Sequence, residues 1–356
     1  MSKIPAIEQI ARFEQEGLVS VRPHRRLPLR IVNYTPKAQY ERAWTPELLS
    51  CRGLVFDETT SRLVARSLPK FFNYEEHVGD AVAGPLPSGD FTVTEKYDGS
   101  LGIVFKYNDE LVVATRGSFH SEQADKAMEI IRSQWSDDLI ESLDHEHTHL
   151  FEIIYPANRI VVDYGDTECL QWLTSIRTQD GYEIEDFGTL FGGIDRLPAS
   201  SPEELKKQSR NNAEGYVLRY DSGQRVKIKF ADYVRLHALV TGLNTVSVWE
   251  HLRSGGTMQQ LLDPLPDEWM KWARKEAETL TDAHRTMEDA AYAVFSNIES
   301  GLGFDYTRKQ FAEVAVACGN PQLQFMLLDG NKERLSAAIW KIIKPERRTP
   351  ITGIEC

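Results

Sequence analysis

Cysteine is scarce in this 356-residue chain: Cys51, Cys169, Cys318 and Cys356 stand far apart, without the paired spacings of a zinc site or a disulfide framework. They read as free thiols. No apolar run approaches the length of a membrane span, and the opening MSKIPAIEQIARFEQEG is amphipathic rather than a secretion signal, so cytoplasmic residence is expected. Positive charge is in deficit as well. A formal net charge of -12 argues against a protein that coats nucleic acid with a generally basic surface, while leaving room for a local basic cleft. Two stretches offer one: 22-RPHRR-26, and a C-terminal set of Lys332, Arg334, Lys341, Lys344, Arg347 and Arg348. No internal repeat or low-complexity segment is present.

The length and ordinary hydrophobic content predict two soluble globular domains. After a helix over 3–17, short apolar or alternating runs predict strands at 29–34, 53–57, 62–67, 91–96, 101–107 and 111–117. A helix is expected over 120–143, then strands at 150–156, 159–165, 169–177, 215–220 and 225–230. From about 232 helical spacing takes over, at 232–243, 246–254, 267–299, 307–319 and 332–344. The expected class is therefore α+β: antiparallel sheets with flanking helices over 1–236, followed by an all-helical domain over 237–356.

The chemistry-bearing pattern begins at 94-TEKYDGSLGIVFKY-107. Lys96 and Asp98 fall on one face if the chain stays extended, so the carboxylate is placed to orient the amine. Asp98-Gly99 is a favoured tight-turn pair, which predicts a hairpin from 91–96 into 101–107. Taken alone, this also fits a surface hairpin with a solvated lysine. In 226-VKIKF-230, alternation puts Lys227 and Lys229 side by side on one face, where their repulsion, on the order of 1 kcal/mol, is offset by a shared anion such as a triphosphate. Glu152 sits inside the apolar strand 150–156 and Glu214 at a strand entrance; an unpartnered buried charge is costly, so each must face outward or be paired. Either suits a ribose hydroxyl or a divalent cation. Arg52, Lys70 and Arg116 stand at element ends, where each resembles a positioned phosphate contact, although a lone Arg-Gly pair is not specific to one. In 144-DHEHTH-149 the histidines lack the helical spacing of a metal site, and Gly192-Gly193 and Gly255-Gly256 read as turns.

Taken in order, 52-RGLVFD-57, 69-PKFFN-73, 96-KYDGS-100, 151-FEIIYPANRIVVDY-164, 214-EGYV-217 and 226-VKIK-229 resemble the motif series of the covalent nucleotidyltransferases. More narrowly they resemble the phage-type RNA ligase 1 family, the ATP-dependent tRNA-repair ligases, and 306-YTRKQFAEVA-315 extends the likeness into the helical part. The resemblance implies a nucleotidyltransferase domain followed by an RNA- or tRNA-recognising helical domain. It implies three steps: Lys96 takes AMP from ATP, AMP passes to an RNA 5′-phosphate, and a 3′-hydroxyl displaces AMP. Lys227 and Lys229 would contact the phosphates, with Arg52, Lys70 and Arg116 along the triphosphate. Glu152 and Glu214 would serve the ribose or a divalent metal, with Glu214 as the metal ligand and a catalytic group. Gly99 would allow close nucleotide approach, and Tyr34 and Phe72 would pack beside it. The cofactors implied are ATP and Mg²⁺ or Mn²⁺; the partner is RNA with 5′-phosphate and 3′-hydroxyl ends, broken tRNA included, and the enzyme a monomer.

Chemistry gives those roles a reason. A neutral lysine amine at pH 7 requires a shift of a few units from about 10.4, which burial and neighbouring cations supply. The rival readings are a DNA ligase or a GTP-using capping guanylyltransferase with the same lysine chemistry, or a non-catalytic nucleotide- or RNA-binding protein. Helices rather than an OB barrel after 226-VKIK-229 favour the RNA-ligase resemblance. Arginine at 116, where the family can carry lysine, keeps the charge and changes the geometry.

Overall fold

The computed structural model describes residues 3–78, 83–198, 200–240, 242–263, 265, 267–303, 305–318 and 320–348. The chain forms two compact units, Met1–Val240 and Thr241–Cys356. In chain order the first unit carries strands β1 (Val19–Pro23), β2 (Leu29–Tyr34), β3 (Arg52–Asp57), β4 (Leu63–Ala65), β5 (Phe72–Asn73), β6 (Phe91–Lys96) and β7 (Ser100–Tyr107). These are followed by β8 (Glu110–Thr115), β9 (His147–Ile154), β10 (Cys169–Arg177), β11 (Glu183–Ile184), β12 (Arg196–Leu197), β13 (Gly215–Tyr220) and β14 (Arg225–Lys229).

They build three sheets, ordered β1-β2-β3-β4, β11-β10-β9-β7-β8 and β12-β6-β13-β14-β5. Every pairing is antiparallel except β14 with β5. Alternation decides what each face buries. Leu29, Ile31 and Val55 of the first sheet meet Ile103, Phe105, Ala114 and Leu150 of the second in one apolar layer. On the second sheet's other face, Val104, Val113, Phe151 and Ile153 pack against Ala124, Ala127 and Ile131 of the helix Glu122–Gln134. The third sheet has its own core of Val93, Leu218, Val226 and Ile228, completed by Phe230 and Tyr233. Fully burying an aliphatic or aromatic side chain contributes about 1.5–3 kcal/mol, so these layers hold the strand ends in place.

Three expectations are corrected here. First, β6 and β7 do not form a hairpin; they lie in different sheets, and Gly99 lacks the positive φ that a type I′ turn demands. Asp98 is drawn inward instead. It is 4% exposed, its Oδ2 accepts from the amides of Val161 (2.9 Å) and Val162 (2.8 Å), and its Oδ1 accepts from the Tyr233 hydroxyl (2.8 Å). Second, 159–165 is a loop rather than a strand, because its amides are spent on side chains, with Asp163 N donating to Asn212 Oδ1 at 2.7 Å. Third, the helix expected over 120–143 breaks into Glu122–Gln134 and Asp137–Ser142, since Trp135 leaves helical geometry and Ser136 caps the second piece.

The second unit, among the described residues, contains helices and no strand: Thr245–Arg253, Met258–Leu262, Asp267–Leu302, Arg308–Ala317, Pro321–Leu328 and Lys332–Ile342. Asn244, Thr257 and Thr307 open three of them with reciprocal capping boxes. Ala291 and Ile298 of the 36-residue helix pack on Leu335 and Ile339 and on Phe311 and Ala315, respectively. In the C-terminal basic set, Lys344 lies over the Trp249 ring at 5.3 Å and Arg348 pairs with Glu276 at 3.3 Å. Among the described residues no helix is long and apolar enough to cross a membrane. Cys51 is buried, Cys169 half-buried and Cys318 exposed, all three as free thiols; Cys356 lies outside the described residues.

Candidate active site

The register of the third sheet sets Lys96, Gly215 and Lys229 in one row across β6, β13 and β14. Glu214 precedes that row and is 3% exposed. Its two oxygens are both taken by ammonium groups: Oε2 by Lys96 Nζ at 2.8 Å and Oε1 by Lys229 Nζ at 3.2 Å. The Lys96 side chain is only 21% exposed, so it is directed into the cleft rather than into bulk solvent. The partner of the amine is thus Glu214 and not Asp98, whose carboxylate serves the 161–162 amides and Tyr233.

Gly215 makes the row possible. Its φ is +152°, and a Cβ there would stand 1.9 Å from the Ile228 carbonyl oxygen. Gly99 is constrained in the same way from the facing sheet, where a Cβ would meet Ile153 O at 2.5 Å.

Glu152, on β9, reaches the same cleft. It accepts from the Gly99 amide at 3.0 Å and is half-buried. Desolvation pushes its carboxyl up to about 7, with the Glu214 charge adding to the rise; Lys96, the Gly99 amide and Arg52 pull the other way. Arg52 itself donates to Ser67 Oγ (3.0 Å) and Leu68 O (3.2 Å).

An aromatic box adjoins this cluster. Lys70, 5% exposed, lies over the rings of Phe72 (4.9 Å), Trp44 (5.2 Å) and Tyr34 (5.8 Å). Arg116 stacks on Tyr34 at 5.4 Å and donates to its hydroxyl at 3.4 Å. Phe72 pairs with Val226 and Asn73 with Lys227 in the parallel β5–β14 contact, which brings the box beside the late lysines. Lys227 lies over the Phe71 ring at 5.5 Å and Lys229 over Tyr233 at 5.4 Å. Burial beside aromatic faces holds cations where an anion can reach them.

All eleven residues singled out from the sequence therefore fall around one cleft region of the first unit. Trp44, Asp98, Tyr164 and Tyr233 were not singled out for these contacts. Tyr164 Oη accepts from the Asp98 amide at 2.9 Å, and both Asp98 and Tyr164 carried a cue, since they lie within quoted motifs. The 144–149 histidines scatter: His145 faces Asp109 at 3.4 Å, His147 contacts Asp144 at 2.8 Å, and buried His149 contacts Ser175 Oγ at 2.8 Å. Among the described residues no three His, Cys, Asp or Glu side chains gather to hold a metal.

A paired lysine and carboxylate thus lie among cationic side chains in the first unit. Residues 50–192 match the model of a family described as RNA ligase. Over these residues the chain is similar to that family. It is 32% identical over 221 residues to a protein of Autographa californica nuclear polyhedrosis virus described as a bifunctional polynucleotide kinase/RNA ligase, covering 54% of this chain and 31% of that protein. It is 28% identical over 219 residues to a protein of Thermovibrio ammonificans described as an RNA ligase, covering 57% of this chain and 56% of that one. The chain thus spans roughly a third to just over half the length of these curated relatives. Structures of Naegleria gruberi RNA ligase, one with ATP and Mn, match at 15% identity and a TM-score of 0.36, over 41% of this chain and 51% of that one.

Proposed function

We propose that this protein is an ATP-dependent RNA ligase that joins 5′-phosphate and 3′-hydroxyl RNA ends, using Lys96 as the nucleophile. The observation that carries the reading is the Glu214 carboxylate held between the Lys96 and Lys229 ammonium groups, at 2.8 and 3.2 Å. That geometry fixes the amine in a partly desolvated cleft with a proton acceptor in hydrogen-bond reach.

In the first step Lys96 Nζ, having given up a proton, forms a bond to the α-phosphorus of ATP. The bond to the bridging oxygen breaks, and pyrophosphate leaves with the electron pair. Lys229 and Lys227, projecting from one face of β14, neutralise charge on the phosphates; Arg52, Lys70 and Arg116 extend that cationic wall. Tyr34 and Phe72 flank the nucleotide. In the second step an RNA 5′-phosphate oxygen takes the adenylyl group and Lys96 recovers its proton. In the third a 3′-hydroxyl attacks the activated phosphate and AMP departs. The atoms balance as one ATP and two RNA ends giving one phosphodiester, AMP and pyrophosphate.

A divalent ion fits the donor set: Mg²⁺ characteristically takes one or two carboxylates together with substrate phosphates. Glu214, with Glu152 close enough to sense its charge, supplies that number. When bound, Mg²⁺ or Mn²⁺ would offset negative charge on the triphosphate. Broken tRNA as the natural substrate, recognised by the helical unit, and a monomeric cytoplasmic enzyme complete the reading.

The test separates the first step from the later ones. Lys96→Ala is expected to lose sealing of 5′-phosphorylated RNA fed with ATP while still closing RNA that already carries a 5′-adenylate. Sealing with ATP in that variant would refute the nucleophile.

A further inference from the structure

The basic stretch 22–26 lies outside the nucleotide cleft, at the end of β1 and in the turn that leads into β2. Its backbone is tied down by two imidazoles. His24 Nδ1 accepts from the amides of Arg26 (3.1 Å) and Leu27 (3.0 Å), and His120 Nε2 accepts from the amide of Arg25 (3.0 Å). The rings stand 4.8 Å apart, and burial, the neighbouring His120 and Arg26 hold His24 below the usual histidine range. His24 therefore serves the loop as a neutral acceptor, and the fixed loop leaves the arginine side chains exposed.

Their charges are not equally available. Arg26 pairs with Glu110 and Arg30 with Glu58, whereas Arg22 and Arg25 form no ion pair among the described residues. Cross-strand register places Arg22 on the same face as Ile31, and Ser20 on the same face as Asn33. Ile31 shares an apolar core with Phe119, and a Cβ on Gly117 would come within 3.5 Å of Asn33 Nδ2. Residues 116–120 thus run alongside β2, from Arg116 at Tyr34 to His120 at the Arg25 amide. From Tyr34 to Arg30 is four residues of strand, about 14 Å, or roughly four stacked nucleotides. Exposed Arg116, Arg22 and Arg25 mark that path on a chain whose net charge is -12.

We propose that this ridge carries the phosphodiester backbone of a single-stranded RNA leaving the nucleotide cleft past Arg116. The inference rests on the ligase reading and adds to it a surface for the strand. Carboxylates along the ridge are already matched by Arg26 and Arg30, so phosphates would find unopposed guanidinium groups at Arg22 and Arg25.

The experiment measures binding of a 5′-phosphorylated RNA of about twelve nucleotides to the full chain across a salt series, with the Arg22→Ala/Arg25→Ala double variant beside the unsubstituted protein. Each phosphate contact contributes about 0.7 to the slope of log affinity against log salt, so the variant is expected to lose about 1.4 from the slope. An RNA of about three nucleotides, too short to reach the loop by the same stacking distance, is expected to bind both proteins equally. The AMP adduct formed from ATP alone, which needs no RNA, is expected to be the same in both. An unchanged slope with the long RNA, or an equal loss with the short one, overturns the ridge. Failure of the unsubstituted protein to form any adduct would instead overturn the ligase reading, while the slopes still decide the ridge.

Discussion

Removing the Asp98 carboxylate is expected to free the 159–165 loop. Two backbone amides, Val161 and Val162, donate to Oδ2 at 2.9 and 2.8 Å, and the carboxylate is 4% exposed. Hydrogen bonds to a charged partner contribute about 1.5–3 kcal/mol each, so the pair contributes at least about 3 kcal/mol to keeping the loop closed. At 1.4 kcal/mol per decade, Asp98→Ala is then expected to lower hydrogen-exchange protection at these amides about a hundredfold. Asp98→Asn retains one acceptor oxygen and should fall between. Exchange followed by mass spectrometry on peptides covering 159–165 reads this directly. The Lys96→Ala variant serves as the comparison, because Lys96 bonds to Glu214 and touches none of these amides. If the loop in Asp98→Ala exchanges as slowly as in the unsubstituted protein, the assignment of Asp98 as the anchor of 159–165 is wrong.

Gly215→Ala would place a methyl group 1.9 Å from the Ile228 carbonyl oxygen, so the β13–β14 pair must shift; a thermal midpoint lowered by several degrees is expected, with loss of the AMP adduct. Glu152 supplies a pH signature. Its folded-state pKa, about 7, lies above the ordinary carboxyl value of about 4.5, so its stabilising contribution is full below about 4.5 and is lost as pH rises through 7. Between pH 5 and pH 8 the unsubstituted protein is expected to lose about 2–3 kcal/mol that Glu152→Gln does not, measured by urea unfolding; parallel losses would contradict the assignment.

Much of the site was legible because strand alternation is a strong constraint. The 226-VKIKF-230 pattern put Lys227 and Lys229 on one face, and the burial along β14 alternates accordingly. Glu214 stood out as an acid at a strand entrance, and the late helices were readable from their spacing, the first of them forming Ala231–Val240 of the first unit. What alternation misses is competition for backbone amides. The 160-IVVDY-164 run has strand-like residues, yet a carboxylate some sixty positions earlier takes its N–H groups, a long-range partner that no local pattern encodes. Asp98-Gly99 misled for the same reason, since the aspartate is used by the core before it can make a turn. Short elements escaped as well. The helices Pro36–Tyr40 and Pro46–Ser50 are only five residues each, started by Thr35 and Thr45 caps, and offer too few turns for periodicity. Trp44, between them, carries no motif; its position against Tyr34, Phe72 and Lys70 emerges only from the tertiary arrangement.

The most direct measurement is the intact mass of the protein after incubation with ATP and Mg²⁺, followed by peptide mapping. One added AMP on Lys96, absent from Lys96→Ala, is the result this account predicts. An adduct on another residue, or the same adduct in the variant, would contradict it.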